Sequence, residues 1–508
     1  MMTVPSTQSV MYLSELLDGQ AAIPASLDCP ISDMVMDSRQ VVEGCLFVAV
    51  KGHNVDGVDY INAAIAQGAV AILREVSGDE TGVTSLSWKT SSTGQTIPVV
   101  SLNDLSRQVG SLAARFYGSP SSRLFVVGIT GTNGKTSCSQ FVAQVLNQEQ
   151  PCGVIGTLGR GLYGRLEDSG HTTPDVIANH RWLAKMYAQG AASVVMEVSS
   201  HALDQGRVDQ VQFDCAVFTN LTHEHLDYHG DMASYASVKQ RLFQTPDLKT
   251  AVINRDDAYG RELEAILDKS VKVISYGMQP EYKPALLAQE IRLLADGLQF
   301  RVESGYGTGE ITTQLLGRFN ISNLLAALGA LLAKGMAFDD ALTRLAGVRT
   351  VSGRMETLGG NGQPLVVIDY AHTPDALQHV LEALREHTRG ILWCVFGCGG
   401  ERDKQKRSLM GKIAEVYADR VVVTNDNPRH ENPVDIIEQI LSGMSDSDKA
   451  YVERDRQKAI ESVIQGAEPQ DVILVAGKGH ENYQQVGDER RPFSDMAEAQ
   501  LQLKRRKA

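Results

Sequence analysis

The sequence predicts an α/β protein of three domains: a central domain on a mostly parallel sheet of the P-loop type, a C-terminal Rossmann-like α/β domain, and a smaller N-terminal α/β domain. Three observations carry this. At 508 residues, and roughly 100–200 residues per domain, the chain has room for three. Near-continuous apolar runs alternate with helical patterns, which reads as parallel strands covered on both faces. One of those runs ends in a Gly-rich turn with Lys-Thr, "FVVGITGTNGKTS" from Phe125.

The N-terminal domain is expected over 1–120. It mixes strand-like "GCLFVAVKG" and "GAVAIL" with a helix between them. The polar stretch from Ser77 to Pro98 reads as a loop decorating this domain. "FYGSPSSR", ending at Arg123, reads as a linker because Gly, Ser and Pro interrupt any periodicity. The central domain is expected over 121–348, with apolar strands "LFVVGIT", "SVVMEVS" and "CAVFTN" and a helix "NISNLLAALGALLAKG" that stops at Gly335. From 349 to 508 the pattern restarts with "PLVVIDY", "ILWCVFG", "RVVVTND" and "DVILVAG".

Composition narrows the function. A net charge of −13 argues against nucleic acid, which selects basic surfaces; a local cluster of Lys, Arg and helix termini can still hold an anion. The seven cysteines show no C-x-x-C and no framework spacing, so a reducing compartment is expected. The start of the chain lacks the basic-then-apolar signature of a secretory signal, and no apolar run reaches the ~18 residues of a membrane span. The reading is a cytoplasmic monomer acting on small molecules.

The turn after "FVVGIT" has the context of a phosphate loop. Gly128, Gly131 and Gly134 let backbone N–H groups face an anion, the following helix N-terminus adds partial positive charge, Lys135 bridges phosphates, and Thr136 offers a hydroxyl to Mg²⁺. Gly131, Thr132, Asn133, Gly134, Lys135, Thr136 and Ser137 are the candidate nucleotide contacts. The standard spacing requires glycine where this chain has Ile129. The loop alone leaves a kinase, GTPase, transport ATPase or ligase open.

"GTNGKT" resembles the loop of the Mur ligase family and of its folylpolyglutamate synthase relatives. Further motifs follow in that family's order: "EVSSHAL" from Glu197, "FTNLTHEHLDYHG" from Phe218, "YASVKQRLF" from Tyr235, "GRFNISN" from Gly317, "SGRME" from Ser352, "DYAHTPD" from Asp369 and "TNDNPR" from Thr424. "DSRQVVEGCLFVAVKGHNVDG" from Asp37 is similar to the uridine-binding domain of the branch that adds the third peptide residue. A folylpolyglutamate synthase lacks that domain. An ATPase switch would more naturally keep the standard loop spacing.

The resemblance implies an ATP-dependent, ADP-forming amide ligase of cell-wall precursor synthesis, with ATP and Mg²⁺ as cofactors. Its substrates would be UDP-N-acetylmuramoyl-L-alanyl-D-glutamate and meso-diaminopimelate. Joining an acid to an amine requires the acid to be activated, which an acyl phosphate does, and cations offset the repulsion between carboxylate and phosphates. Lys135, Glu197, His225 and Lys239 are the implied catalytic residues. Metal ligands would be Thr136, Glu197, His225 and Lys239, the last carbamylated to N6-carboxylysine. The plain alternatives are a snorkelling Lys239 and surface histidines; His223 and His229 read as loop or surface residues. No H-E-x-x-H zinc motif is present.

Asn320, Arg354, Asp369 and His372 are implied on the ATP side, with Asn320 alternatively a helix cap. The nucleotide-sugar acceptor is implied at Met36, Ser38, His53, Asn54 and Val55, and at Thr172, Thr173, Ser199, Gln205 and Arg207. The diaminopimelate pocket is implied at Arg402, Asp426, Asn427, Pro428, Arg429, Gly477 and Glu481. "DNPR" follows an apolar strand, where open α/β sheets bind ligands. An Arg429 fork matches the distal carboxylate of diaminopimelate, where lysine would present a cation.

Overall fold

The computed structural model describes residues 10–52, 55–76, 85–168, 170–222, 224–350, 353–360, 362–446 and 450–506. The chain divides into two compact units, Met1–Ile253 with Asp257–Ile274, and Asn254–Asp256 with Ser275–Ala508.

Two sheets of the first unit bear on the site. One runs β1 (Asp33–Val35), β2 (Cys45–Ala49), β3 (Ala71–Val76), β4 (Ser85–Thr90) and β5 (Thr96–Asn103) in spatial order β1-β2-β3-β5-β4. All pairs are parallel except β4 with β5. The polar stretch expected to be a loop is therefore partly sheet: Ser85–Thr90 alternates small or polar residues with Leu86 and Trp88 and zips antiparallel onto Thr96–Ser101. An edge strand needs only one apolar face, so its polarity hid it. Residues Ser77–Thr84 lie outside the described residues.

After α1 (Leu105–Phe116), the expected linker is a packed turn. Pro120 and Ser121 are buried, and Ser121 Oγ accepts from Gln212 N at 3.1 Å.

The second sheet contains β6 (Phe125–Thr130), β7 (Cys152–Gly156), β8 (Gly159–Leu162), β9 (Arg165–Glu167), β10 (Ser193–Glu197), β11 (Cys215–Phe218) and β12 (Thr250–Asn254), ordered β9-β8-β7-β10-β6-β11-β12. Strands β7, β10, β6, β11 and β12 are parallel, as their unbroken apolar character predicts. The hairpin β8–β9 adds an antiparallel edge. Three helices of this unit matter: α2 (Lys135–Leu146) behind the Gly-rich turn, α3 (Val176–Ala188) and α4 (Met232–Gln240).

In the second unit, β13 (Leu286–Leu294), β14 (Gly297–Ser304) and β15 (Gly307–Thr313) form an antiparallel meander. α5 (Phe319–Lys334) is rich in Leu and Ala and ends at Gly335, whose φ of 95° supplies the left-handed cap. The final sheet comprises β16 (Glu356–Gly359), β17 (Leu365–Asp369), β18 (Leu392–Phe396), β19 (Arg420–Val423), β20 (Ala450–Val452) and β21 (Val472–Ala476), in order β16-β17-β21-β18-β19-β20. Only β16 is antiparallel. Its strand residues alternate between two cores: Val367, Leu474 and Cys394 face one, and Val366, Ile473 and Val395 the other. Period-2 alternation between two buried faces is why these strands read as continuous apolar runs. A hairpin, β22 (Tyr483–Val486) and β23 (Glu489–Pro492), follows β21.

Candidate active site

The phosphate-loop candidate sits at the carboxyl end of β6, between β10 and β11. Gly128 belongs to the strand and not to the turn: a Cβ there would lie 2.7 Å from the Phe213 ring, so its role is packing. Gly131 is different. Its φ is 142°, and a Cβ would stand 1.9 Å from Thr219 Oγ1. Gly134, at φ 85°, is the N-cap of α2.

The turn is held from below by "FTN", a support the sequence reading missed. Thr132 N donates to Asn220 O at 2.8 Å, Asn133 N to Asn220 Oδ1 at 2.9 Å, and Thr219 Oγ1 to Asn133 O at 2.6 Å. Asn220 thus takes two of the turn's own N–H groups, and the polarity offered to an anion is that of the α2 N-terminus, which begins at Lys135.

Lys135 Nζ donates to Gly131 O at 2.7 Å and Thr132 O at 2.8 Å. Lys239, on α4, is buried and donates to the same Gly131 carbonyl at 2.9 Å. Its Nζ lies 4.4 Å from the Tyr235 ring centroid. Lys239 is thus a core lysine and not a snorkelling one. Burial, and then the charge of Lys135, push its pKa well below the usual lysine value. Burial also lowers that of Lys135.

Glu197, at the end of β10, is buried. Thr136 Oγ1 donates to its Oε2 at 2.8 Å, Thr157 N to Oε1 at 3.0 Å, and Thr157 Oγ1 to Oε2 at 3.1 Å. Burial raises its pKa, against the lowering effect of those hydrogen bonds. Thr157, at the carboxyl end of β7, was another residue not anticipated. Its position after an apolar strand was the available signal. Thr136 and Glu197 are hard oxygen donors side by side, a fit for Mg²⁺, which takes few protein ligands and completes its shell with phosphate oxygens and water. Among the described residues, no group of three or more His, Cys, Asp or Glu side chains could hold a metal by itself.

His225, at φ 57°, lies in a histidine–tyrosine cluster: its ring centroid is 4.9 Å from His201 and 6.3 Å from Tyr235. His229 belongs to the same cluster and meets Ser200 Oγ at 2.9 Å, so it is not a simple surface residue. His223 lies outside the described residues.

The acceptor candidates from Thr172 to Arg207 converge. Thr173 Oγ1 donates to Glu197 O at 2.9 Å, and Ser199 N donates to Thr173 Oγ1 at 3.2 Å. Thr172 Oγ1 is 3.1 Å from Thr157 Oγ1. Arg207 Nη1 donates to Thr173 O at 3.0 Å and its Nε to Gln205 Oε1 at 2.9 Å. In the first sheet's loops, Ser38 is buried and Val55 exposed, and Met36 follows β1 directly. His53 and Asn54 lie outside the described residues.

In the second unit, candidate residues lie at or after the carboxyl ends of four neighbouring strands, β17, β21, β18 and β19. Asp369 ends β17; its carboxylate accepts from Met355 N at 2.8 Å and Ala371 N at 2.7 Å, and burial raises its pKa. Arg354 packs over the Tyr370 ring at 5.5 Å, and the His372 ring meets the same ring edge-on, with centroids 4.6 Å apart. These form one group. Asn320 lies inside α5 and not at its cap, donating to Leu316 O at 2.8 Å and accepting from Asn323 at 3.0 Å.

Asp426 to Arg429 form the second group, with the β21 loop. Asn427 Nδ2 donates to Glu481 Oε2 at 2.8 Å, and buried Lys478 reaches both Glu481 Oε2 at 2.9 Å and Asn427 Oδ1 at 3.1 Å. Gly477, at φ 112°, lets the chain pass where a Cβ would come within 2.7 Å of Asp426 Oδ2. Burial raises the Asp426 pKa, while Arg456 and Lys478 oppose it. Pro428 is buried. Arg429 Nη1 donates to Gly400 O at 2.6 Å, and Gly399 stands between Arg429 and exposed Arg402. The glycine loop is braced by buried Arg407, whose guanidinium forks onto Glu431 at 2.9 and 3.1 Å. Lys478 and Arg407 were not anticipated; their burial cannot be read from a motif.

All seven cysteines are free thiols, and among the described residues no helix is long and apolar enough to cross a membrane.

Comparison with known proteins identifies the family. Residues 30–117 match a Mur ligase family catalytic domain, 129–331 the Mur ligase middle domain, and 353–479 the Mur ligase glutamate ligase domain. UDP-N-acetylmuramoyl-L-alanyl-D-glutamate–2,6-diaminopimelate ligases are similar along nearly the whole chain. That of Coxiella burnetii is 45% identical, covering 97% of this chain and 99% of its own length. That of Pseudomonas aeruginosa is 47% identical, covering 94% and 96%. A solved structure of such a ligase has a TM-score of 0.75 at 32% identity, covering 98% of this chain and all of its own. A folylpolyglutamate synthase from Mycobacterium tuberculosis, with a TM-score of 0.56 and 19% identity over 73% of this chain, shares the fold. The chain belongs to the Mur ligase family.

Proposed function

We propose that this protein joins meso-2,6-diaminopimelate to the D-glutamate carboxyl of UDP-N-acetylmuramoyl-L-alanyl-D-glutamate at the expense of ATP, in peptidoglycan precursor synthesis. The observation that carries the reading is identity of 45–47%, sustained over nearly the full chain, to relatives bearing that name. The intact set Lys135, Glu197 and Lys239 around the phosphate turn supports it.

In this reading the domains are 1–120, 121–348 and 349–508, acting as a monomer in the reducing cytoplasm. The N–H groups at the start of α2, Gly134 to Ser137, and the Lys135 amine hold the β- and γ-phosphates of ATP, with Gly131, Thr132 and Asn133 shaping the turn around them. Asn320, Arg354, Asp369 and His372 serve the rest of the nucleotide. Thr136, Glu197, His225 and the carbamate of Lys239 would hold Mg²⁺, which offsets phosphate and carboxylate charge when bound. Met36, Ser38, His53, Asn54 and Val55 take the uridine end of the acceptor; Thr172, Thr173, Ser199, Gln205 and Arg207 take its peptide end.

A carboxylate oxygen of the acceptor attacks the γ-phosphorus, and ADP leaves. The diaminopimelate nitrogen, once deprotonated, attacks the acyl carbon, and phosphate departs from the tetrahedral adduct. Arg429 and Arg402 hold carboxylates of diaminopimelate, and Asp426, Asn427 and Glu481 orient its amine, with Pro428 and Gly477 shaping the pocket.

The test is phosphate release with ATP, Mg²⁺ and the acceptor, with meso-diaminopimelate, L-lysine or no amino acid. Release dependent on meso-diaminopimelate is expected. Equal release in all three would replace the ligase by an ATPase.

A further inference from the structure

Within the first unit, α3 stands between the two places assigned to the acceptor. Its N-cap is Asp175, whose carboxylate accepts from Ala178 N at 2.9 Å, two residues after Thr173. One turn further on, Arg181 points back to β1. Its Nε donates to Asp33 Oδ1 at 3.1 Å and to Tyr117 Oη at 3.1 Å. Its Nη2 donates to the Met34 carbonyl, and Tyr117 Oη donates to Asp33 Oδ1. β1 ends at Val35. The next residue is Met36, and Ser38 follows two positions later.

We propose that Arg181 is a positioning residue for the nucleotide-sugar acceptor: by fixing the Asp33–Met34 end of β1 to α3, it sets the distance between the uridine-side residues Met36 and Ser38 and the peptide-side residues Thr172, Thr173 and Arg207. This rests on the acceptor reading above.

Three observations show that the block around Arg181 is packed without slack. Val176 and Ile177 of α3 are buried in the same apolar core as Met34, Leu105, Val109 and Leu112. α1 approaches the segment after Arg207 so closely that a Cβ on Gly110 would lie 2.8 Å from Asp209 Cβ. On α3 itself, His180 Nε2 contacts Asp209 O at 3.0 Å, and Asn179 Nδ2 donates to both Pro174 O at 3.1 Å and Arg207 O at 2.8 Å. One side of α3 thus holds the Pro174 and Arg207 backbone, and Arg181 holds β1. The apolar contacts can slide; the polar ones set register. A planar guanidinium offers donors in fixed directions to Asp33, Met34 and Tyr117 together, which a lysine ammonium on a flexible stem cannot reproduce. Misplacement of a bound group by about 1 Å costs up to ~100-fold in rate.

The test compares the intact acceptor with one truncated to lack the uridine diphosphate, in full-length Arg181→Ala, Arg181→Lys and Tyr117→Phe proteins. Arg181→Ala is expected to raise KM for the intact acceptor about tenfold, with KM for ATP and diaminopimelate unchanged. With the truncated acceptor, variant and wild type should have the same kcat/KM, because only one end is then held. Arg181→Lys should behave like Arg181→Ala; Tyr117→Phe, which removes one acceptor and keeps the ring, should give a smaller rise in the same direction. Should Arg181→Ala be insoluble, the other two variants decide. A variant that melts earlier yet keeps the wild-type preference for intact over truncated acceptor overturns the proposal, leaving Arg181 as glue between layers. If the wild type itself ignores the acceptor, the ligase reading fails, and that failure is visible before any variant is made.

Discussion

Lys135 and Lys239 share one acceptor: their Nζ atoms stand 2.7 and 2.9 Å from the carbonyl oxygen of Gly131. Burial disfavours an ammonium there, and repulsion between two ammonium groups on one carbonyl adds to the cost, so an amine is driven toward its neutral form. Both lysines are shifted down, Lys239 well below the usual lysine value. A neutral amine can add CO₂ and release a proton; an ammonium cannot.

The first prediction follows. Lys239→Ala should lower the ligation rate at least ~100-fold, with partial rescue by short carboxylic acids that put an anion in the vacated space. Removing CO₂ from the buffer should inactivate the wild type reversibly. Activity insensitive to CO₂, with no rescue, would leave Lys239 as a buried structural amine.

Glu197 should trade stability for activity. Its carboxyl pKa is raised by burial, so the folded state holds the proton more tightly than the unfolded state. This contribution to stability is complete below the unfolded value and is lost as pH rises through the folded one. Above the folded value the ionised group is a cost. Glu197→Gln should therefore melt at or above the wild-type temperature, while kcat falls by ~100-fold or more. A marked drop in melting temperature would show that the carboxylate holds Thr136 and Thr157 in place for folding.

Arg429 discriminates between amino acids if its fork takes a carboxylate. Arg429→Ala should raise KM for meso-diaminopimelate by ~10²-fold or more, in line with the loss of a charge-assisted bidentate pair, and leave KM for ATP near the wild-type value. Arg429→Lys should recover little, since an ammonium is a point charge. Parallel losses for both substrates would move Arg429 out of the pocket.

Glu431 braces the glycine loop in a pH-dependent way. The Arg407 fork and the Glu401 N–H hold its pKa down at about 2. A folded value below the unfolded one stabilises the protein at higher pH, and that contribution disappears as pH falls from the ordinary glutamate range near 4.5 toward about 2. Wild type should out-melt Glu431→Gln at pH 7, with the gap narrowing below pH ~5. A gap that does not change with pH would mean that shape, not charge, carries the brace.

What the sequence determined by itself was the local chemistry. Apolar runs such as Val366–Ile368 and Val472–Val475 had to be covered strands, because residues of both parities are hydrophobic. The glycines around Lys135 marked a backbone turn open to an anion, and Gly335 marked the end of α5. Ordered motifs placed the candidate residues at strand ends. Tertiary structure decided what those motifs rest on. Ser85–Thr90 is a strand only because β5 is there to pair with it. Lys239 is buried only because α4 closes over the Gly131 carbonyl, 108 residues away in the chain. Asp33 and Arg181, 148 residues apart, meet only when α3 docks on the first sheet. Hydrophobic periodicity is a property of neighbours and can be read along a chain. A buried charge is tolerated only where distant groups surround it, and those groups are chosen by packing.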